Sequence, residues 1–334
     1  MMKIRFKKKS LLAALMSAAV FSAAFSVQAQ TKREIKVSHS AQGVMSSELH
    51  TAAWVFSNYI KENSDTLTVR LYPNNALGEE RAVYEAMQLG AGASCAVTGT
   101  AILNNFSKRV GVIDLPFLWR DYDHMSVALD GKVGEALSAD LEKAGFKTIA
   151  WMTNWGARNV VTANKSVKTP DDLKGLKIRT IQSPVYIDAL NAMGANATPM
   201  SFGEVYTSMQ TGVLDGFEHG SAIVVTQKFY EVAKHIALTR HFLGPVVLAC
   251  SMTEWNKFSD KEKAVVMEAG RLASDINRSL APVREKEAFD FLRAKGMDIT
   301  EVDTTTFRER AVASQDKFAA DRGAEDLLKQ IRAL

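Results

Sequence analysis

Short segments in which apolar and polar residues alternate recur along this chain, and most of them precede a segment with helical periodicity. Residues 174–180, KGLKIRT, place Leu and Ile between Lys and Arg with the period of a half-buried strand. Ser183 and Pro184 then supply an N-cap and a proline for the first helical position, so a helix is predicted to end near Gly194. Strands that alternate with helices throughout a chain indicate an α/β fold, here with largely parallel pairing.

The same pattern continues to residue 219 and completes a βαβαβ unit. A second strand follows Gly194, and the capping-box spacing of Ser201 and Glu204 predicts the start of a second helix. Gly212 is predicted to end that helix before a third, short apolar strand at 213–215.

The rest of the chain alternates in the same way. The pattern predicts further strands at 34–39, 67–72, 95–98, 148–152, 245–251 and 298–302. It predicts helices at 47–63, 79–89, 259–295 and 306–320, and two helices within 122–144. The strand at 245–251 is apolar nearly throughout, which is typical of the centre of a sheet. Pro282 is expected to kink or split the long helical segment. One helix that joins two lobes and two packed helices fit this pattern equally well.

The first 29 residues have the organisation of a secretory signal peptide. Five Lys and Arg residues precede an alanine-rich apolar segment at 11–27, and Val27-Gln28-Ala29 resembles a cleavage site. We therefore expect export and cleavage after Ala29, with an uncleaved membrane anchor as the alternative. Cleavage would change the formal net charge from +4 to about −1. No basic surface then remains that would indicate a nucleic acid or an anionic membrane as a partner.

The mature length and the cysteine content limit the architecture further. About 305 mature residues exceed the usual size of one hydrophobic core, so two lobes are expected. The only two cysteines, Cys95 and Cys250, each lie in an apolar, strand-like run. This position favours two buried free thiols over a disulfide, although an oxidising compartment would permit pairing.

Arg179 is the strongest candidate for contact with a ligand. It lies at the carboxyl end of a predicted strand, where open α/β sheets bind ligands beside helix N-termini that favour negative charge. Its planar guanidinium matches a carboxylate with two parallel hydrogen bonds. From the pattern alone, a solvated arginine or a salt-bridge partner is an equally good interpretation.

Four motifs along the chain together resemble one known family. They are LYPNNALGEER at 71–81, DLPFLWRD at 114–121, TPDDLKGLKIRT at 169–180 and GANATPMSFGEVYTSMQTGVLDGFEH at 194–219. At this spacing the mature chain is similar to the solute-binding proteins of tripartite ATP-independent periplasmic (TRAP) transporters, in particular the branch that binds diketogulonate and C4-dicarboxylates. The resemblance implies a periplasmic receptor that closes on an organic acid and delivers it to an integral-membrane permease.

The resemblance also implies an architecture. The fold would be α/β, the two-lobed periplasmic binding protein fold with discontinuous lobes. Lobe I would comprise 30–155 plus 245–284, and lobe II would comprise 156–244 plus 285–334. Hinge strands and a long lobe-spanning helix would join the two lobes.

The resemblance further implies a ligand site. Arg179 would form a bidentate bond with the ligand carboxylate, and Arg158 would be a second arginine on the same ligand. The other implied pocket residues are Glu80, Asn154, Trp155, Phe202 and His219. Gly99 and Ile102 stand where sialic-acid-binding relatives carry a glutamate and an arginine, so sialic acid is not the expected ligand.

Other chemistries find little support in the sequence. No HExxH, Walker, GxGxxG or GxSxG motif is present, so no catalytic residue, metal or cofactor is assigned. An enzyme that uses His219 and Glu80 as acid and base, and a sensory subunit, are the alternatives to a transport receptor. The possible ligands are a sugar acid, a hydroxy acid and a C4-dicarboxylate, and the resemblance favours the sugar acid. No heptad or apolar stripe indicates an interface, so a monomer is expected.

Overall fold

The computed structural model describes residues 32–153 and 155–334, so the predicted signal peptide at 1–29 lies outside the described residues. The strands are β1 (Arg33–Ser38), β2 (Leu67–Tyr72), β3 (Cys95–Gly99), β4 (Phe146–Met152), β5 (Ala157–Thr162), β6 (Lys177–Thr180), β7 (Asn196–Pro199), β8 (Gly216–Gly220), β9 (His235–Leu243), β10 (Val246–Ser251) and β11 (Asp298–Glu301). The α-helices are α1 (Glu48–Asn63), α2 (Glu80–Gln88), α3 (Tyr122–Asp130), α4 (Lys132–Lys143), α5 (Pro184–Met193), α6 (Val205–Gln210), α7 (Ser221–Thr226), α8 (Met252–Trp255), α9 (Asp260–Ala294), α10 (Thr304–Val312), α11 (Gln315–Arg322) and α12 (Glu325–Ala333).

The strands form two mixed sheets. The first has the order β2-β1-β3-β10-β4, and the second has the order β11-β9-β5-β8-β6-β7. β10 runs antiparallel to both of its neighbours in the first sheet, and β5 does the same in the second. The other pairs are parallel. The prediction of largely parallel pairing is therefore wrong for β5 and β10.

These two strands are antiparallel because the chain enters each of them directly from the other sheet. β4 leads to β5 through residues 153–156, and β9 leads to β10 through residues 244–245. Arg158, the second residue of β5, lies opposite Gly220, the last residue of β8. β10 begins with Val246 opposite Gly99, the last residue of β3. Both strands thus start at the edge where the parallel strands end.

Helix α9 also connects the two sheets. It packs on α1 and β4 beside the first sheet and on α7 and β11 beside the second. Its N-terminus has the predicted capping box between Ser259 and Glu262, and Pro282 lies inside the continuous helix. The proline does not split the helix, because buried residues such as Val266 and Leu292 anchor it on both sides. None of the helices in the described part of the chain is long and apolar enough to cross a bilayer.

Several predicted boundaries differ from the structure. The third strand of the βαβαβ unit is β8, not 213–215. Ser201 caps no helix through its side chain, since a 3-10 turn at Phe202–Glu204 precedes α6. The helix predicted at 306–320 is divided into α10 and α11. Strands β5 and β9 were not predicted.

The apolar strand predicted at 245–251 lies in the interior of the first sheet, as β10. Val246, Leu248 and Cys250 pack in the cluster that contains residues of α1 and α9. Val247 and Ala249 face the opposite cluster, which contains residues of α2, α4 and α12. A strand buried on both faces needs apolar residues at every position, which explains the absence of alternation.

Cys95 and Cys250 form a disulfide, so the expectation of two free thiols is wrong. The antiparallel register of β3 and β10 places the two residues directly opposite each other. Both cysteines are fully buried, as their apolar surroundings indicated. Sequence alone could not reveal the pairing because it does not give the strand register.

Replacement of both cysteines by alanine should lower the free energy of unfolding by about 2 to 5 kcal/mol, because the disulfide closes a long loop in the unfolded chain. Urea unfolding followed by circular dichroism would measure the difference. Lys286→Ala, on the exposed face of α9, serves as a control with little expected effect. Equal stability of the double variant and the unaltered protein would contradict this role of the disulfide.

Candidate ligand-binding site

Arg179 is a buried cation without an acidic partner. It lies in β6, and its side chain is almost inaccessible, with 3% of the residue exposed. Nε and Nη2 both donate to the backbone carbonyl of Met200, at 2.9 and 2.7 Å. In the described residues no carboxylate lies within salt-bridge distance of this guanidinium. Burial lowers the pKa of Arg179 to about 10, which still leaves it charged at neutral pH.

Arg158, in contrast, is fully paired within the protein. Its Nε and Nη2 donate to the two carboxylate oxygens of Glu218, and Nη2 also donates to the Glu218 backbone carbonyl at 3.0 Å. The Thr180 hydroxyl donates a further hydrogen bond to Oε1 of Glu218 at 3.1 Å. Burial acts to lower the pKa of Arg158, but the charge of Glu218 raises it above its usual value. Only Nη1 is buried without a hydrogen-bond partner in the part of the chain that the structure describes.

The charges around these two arginines do not balance. Glu218 neutralises Arg158, and the next carboxyl, Asp114, accepts bonds from the Thr100 hydroxyl and the Asn104 amide. Burial raises the pKa of Asp114 to about 7, so much of it is protonated at neutral pH. The charges of Glu218, Glu80 and Glu79 also act on Arg179, but none of these carboxylates forms an ion pair with it among the described residues.

His219 is neutral and can act as a hydrogen-bond donor. Burial, together with the charges of Arg158 and Arg179, keeps its pKa well below the usual value. Its Nδ1 accepts the backbone N–H of Gly220 at 2.8 Å, so the proton is on Nε2. Across residues 32–153 and 155–334, no three His, Cys, Asp or Glu side chains are grouped so that they could hold a metal ion.

Aromatic rings join these polar groups into one continuous wall. The Phe202 ring lies 5.7 Å from the Arg179 guanidinium carbon and 5.5 Å from the His219 ring. The Trp155 ring meets His219 edge-on at 5.2 Å, and Arg158 lies 5.6 Å from the same indole. Such a wall suits the apolar face of a sugar or a carbon chain.

Glu80 lines a small cavity together with Arg179 and Phe202, the first ring of this wall. Its Oε1 accepts the hydroxyl groups of Ser40 and Thr98, at 3.0 and 2.6 Å. Both bonds fall on one oxygen, so they do not occupy Oε2. Burial raises the pKa of Glu80. The cavity is lined by Glu79, Glu80, Arg81, Ile102, Arg179, Ile181, Gln182, Met200, Ser201 and Phe202.

The structure brings together all the sequence-predicted site residues that it describes. Arg179, Phe202, His219, Trp155 and Arg158 form consecutive contacts, and Glu80 shares the cavity of Arg179. Asn154, the remaining candidate, lies outside the described residues.

Sequence reasoning did not identify Glu218, although it holds Arg158. The strand that carries it was predicted at 213–215, so its burial was not recognised. A correct strand assignment would have shown Glu218 and His219 in a fully buried strand, where polar side chains need partners. Asp114 and Tyr186, which lie near Arg158 in the fold, gave no signal in the sequence beyond the apolar runs around them.

Comparisons with known proteins extend over the whole described site. A family model described as bacterial extracellular solute-binding protein, family 7, matches residues 38–321. The chain is 33% identical over 315 residues to the 2,3-diketo-L-gulonate-binding periplasmic protein of Escherichia coli. That match covers 92% of this chain and 94% of the E. coli protein.

Solved structures show the same similarity in three dimensions. A TRAP periplasmic solute-binding protein of Polaromonas sp. JS666, bound to D-erythronate, is 30% identical with a TM-score of 0.86, over 91% of this chain and 99% of that chain. Another from Citrobacter koseri, with bound D-glucuronate, is 29% identical with a TM-score of 0.83, over 90% and 99%. The predicted two-lobed α/β fold of periplasmic binding proteins is thereby confirmed.

The raised pKa of Asp114 leads to a pH-dependent stability. Folding favours its protonated form, so its contribution is present at low pH and is lost as the pH rises through about 7. Relative to Asp114→Asn, the unaltered protein should therefore lose free energy of unfolding as the pH rises from 5 to 8. Urea unfolding at several pH values would measure both. Asp65→Asn, at an exposed position, should follow the unaltered protein, and a parallel fall in Asp114→Asn would refute the assignment.

Proposed function

This chain belongs to family 7 of the bacterial extracellular solute-binding proteins, and we propose that it is the receptor of a TRAP transporter that binds a sugar acid and delivers it to an integral-membrane permease. The observation that carries the proposal is the uncompensated charge of Arg179 in the cleft. A buried guanidinium that is bonded only to a carbonyl is most stable when an anion joins it.

The ligand carboxylate is proposed to bind Arg179. Nε and Nη2 already hold the Met200 carbonyl, so the carboxylate would approach the rest of the guanidinium from the cavity. The carbonyl bonds fix the plane of the guanidinium before the ligand arrives, which reduces the entropy lost on binding. Arg158 would contribute through Nη1, the nitrogen that Glu218 does not occupy.

The charge balance favours a monocarboxylate over a C4-dicarboxylate. The two-arginine scheme for a dicarboxylate requires a free charge on Arg158, but Glu218 already neutralises it. A second ligand carboxylate would also lie among Glu218, Asp114 and Glu80 with no cation left for it. Repulsion in a buried site costs more than it does at the surface.

Hydroxyl groups on the ligand would find partners on both sides of the cavity. Oε2 of Glu80 can accept a hydroxyl proton, and Nε2–H of His219 can donate to a hydroxyl oxygen. The related proteins described above are named for, or bound to, diketogulonate, erythronate and glucuronate. All three compounds are oxygen-rich monocarboxylates, which agrees with the proposed ligand class.

We propose that binding involves no chemical change of the ligand. His219 is a poor general base, because its pKa is strongly lowered and its Nδ1 already accepts a backbone proton. The relatives are receptors, so acid–base use of His219 and Glu80 is not proposed further. Incubation of the protein with the bound acid should return that acid unaltered, as judged by mass spectrometry.

The proposed mechanism is closure of two lobes around the acid. The lobes are those expected from the sequence, except that we assign 315–334 to lobe I because α12 packs against α4. The crossings at 153–156 and 244–245 would form the hinge. We further propose that the protein functions as a monomer in the periplasm, after removal of its first 29 residues.

Arg179→Ala should weaken binding of D-glucuronate, or of whichever sugar acid binds best, by at least about tenfold, because each charge-assisted bond contributes about 1.5 to 3 kcal/mol. Arg179→Lys should recover only part of the loss, since lysine lacks the planar fork. Isothermal titration calorimetry would measure the affinities. Arg70→Ala, on the edge strand β2, is the control. Unchanged affinity in Arg179→Ala would reject the proposed contact.

The charge argument predicts selectivity between acids. D-glucuronate and D-erythronate should raise the melting temperature at concentrations where succinate does not, because bound ligand stabilises the folded state by mass action. D-glucose, which lacks the carboxylate, is the control for charge. A larger shift with succinate would identify a dicarboxylate receptor and overturn the sugar-acid assignment.

A further inference from the structure

Gly99 leaves a space that the Trp155 ring fills. A Cβ built at Gly99 would lie 1.8 Å from Cζ3 of Trp155, far inside van der Waals contact. The backbone of Gly99 has φ −66° and ψ 147°, which any residue can adopt. Its lack of a side chain is therefore required by the indole ring and not by the backbone.

The Trp155 ring is fixed on its other sides as well. His219 meets it edge-on, Arg158 lies against it, and only 6% of the residue is exposed. Its backbone carbonyl lies close to Gly220, where a Cβ would come within 2.4 Å of the oxygen. Close approaches at both glycines give the ring a defined position at the hinge between β4 and β5.

This position is at the floor of the proposed binding cleft. Thr98, directly before Gly99, donates its hydroxyl to Glu80, and Ile102 lines the cavity that contains Arg179. Ligand atoms that extend from Arg179 along the aromatic wall therefore meet the indole.

The indole also has an unused hydrogen-bond donor. Nε1 of Trp155 is buried and has no hydrogen-bond partner in the part of the chain that the structure describes. A buried N–H group without a partner is unfavourable, whereas a ligand oxygen at this point would satisfy it.

We propose that Trp155, seated on Gly99, sets the length of the acid that the cleft accepts and donates its Nε1–H to an oxygen of that acid. The inference rests on the proposed function and narrows its ligand class. Acids of the size of glucuronate would then be accepted between Arg179 and the indole, while longer acids such as N-acetylneuraminate would meet the ring. Selectivity of this kind arises from steric exclusion as well as attraction.

Two substitutions separate the two roles of the ring. Trp155→Phe keeps most of the volume and removes the donor, so D-glucuronate should bind about three- to tenfold more weakly while N-acetylneuraminate remains excluded. Trp155→Ala removes the volume, so it should weaken D-glucuronate further and gain measurable affinity for N-acetylneuraminate. Calorimetry with both acids is the measurement. Trp54→Ala, 45% exposed on α1, is the matched control.

Gly99→Ala tests the packing itself. The added methyl group must displace the ring, so Gly99→Ala alone should weaken D-glucuronate binding by about tenfold or more. In a protein that already carries Trp155→Ala, the same substitution should have little further effect on binding. Circular dichroism and thermal unfolding of every variant identify any that do not fold, and Trp155→Phe preserves the test in that case.

The outcomes distinguish this inference from the proposed function. If Trp155→Ala and Trp155→Phe keep the affinity and the size limit of the unaltered protein, the role of Trp155 is overturned while Arg179 keeps its own. If the unaltered protein binds neither D-glucuronate nor any other hydroxylated acid, the proposed function fails and the role of Trp155 fails with it.

Discussion

Two arginines are buried in one cleft, and among the described residues a carboxylate is paired with one of them, Arg158, but not with Arg179. The proposed chemistry of the site depends on this difference. Glu218 holds Arg158 with two charge-assisted bonds, so that pair is complete without a ligand. Arg179 donates to the Met200 backbone carbonyl instead, and no carboxylate forms an ion pair with it in the described residues. Burial, together with the charges of these two arginines, lowers the pKa of His219 and keeps it unprotonated, which makes it a hydrogen-bond donor through Nε2. The cleft therefore contains one cation without an acidic partner among the described residues, and the proposed preference for anions rests on it.

The fold produces this imbalance through the direction of its strands. β6 and β8 end at the cleft, whereas β5 starts there because the chain has just crossed from the other sheet. Arg158 near the start of β5 thus lies beside Glu218 near the end of β8. A purely parallel sheet would bring only strand ends to this edge. The mixed topology lets the start of one strand and the end of its neighbour direct side chains into the same site.

The sequence was informative where the signal is local and uninformative where it depends on register. The predicted strand at 67–72 coincides with β2, and the cap at Ser259 was correctly predicted, because periodicity and capping are properties of neighbouring residues. Arg179 could be selected because it stands at the end of a short strand. The Cys95–Cys250 disulfide could not be selected, since it depends on which residue of a distant strand lies opposite, and Glu218 was missed because its strand was assigned to 213–215.

The disulfide has a mechanical consequence for the cleft. It links β10 covalently to β3. β10 follows the crossing at 244–245, and β3 ends at Gly99, which contacts the Trp155 indole. The strand that ends at Gly99 and the strand that follows the crossing at 244–245 are thereby covalently joined. In the proposed closure, the second sheet would rotate about the crossings while this strand pair keeps its geometry, and Trp155 would remain seated on Gly99.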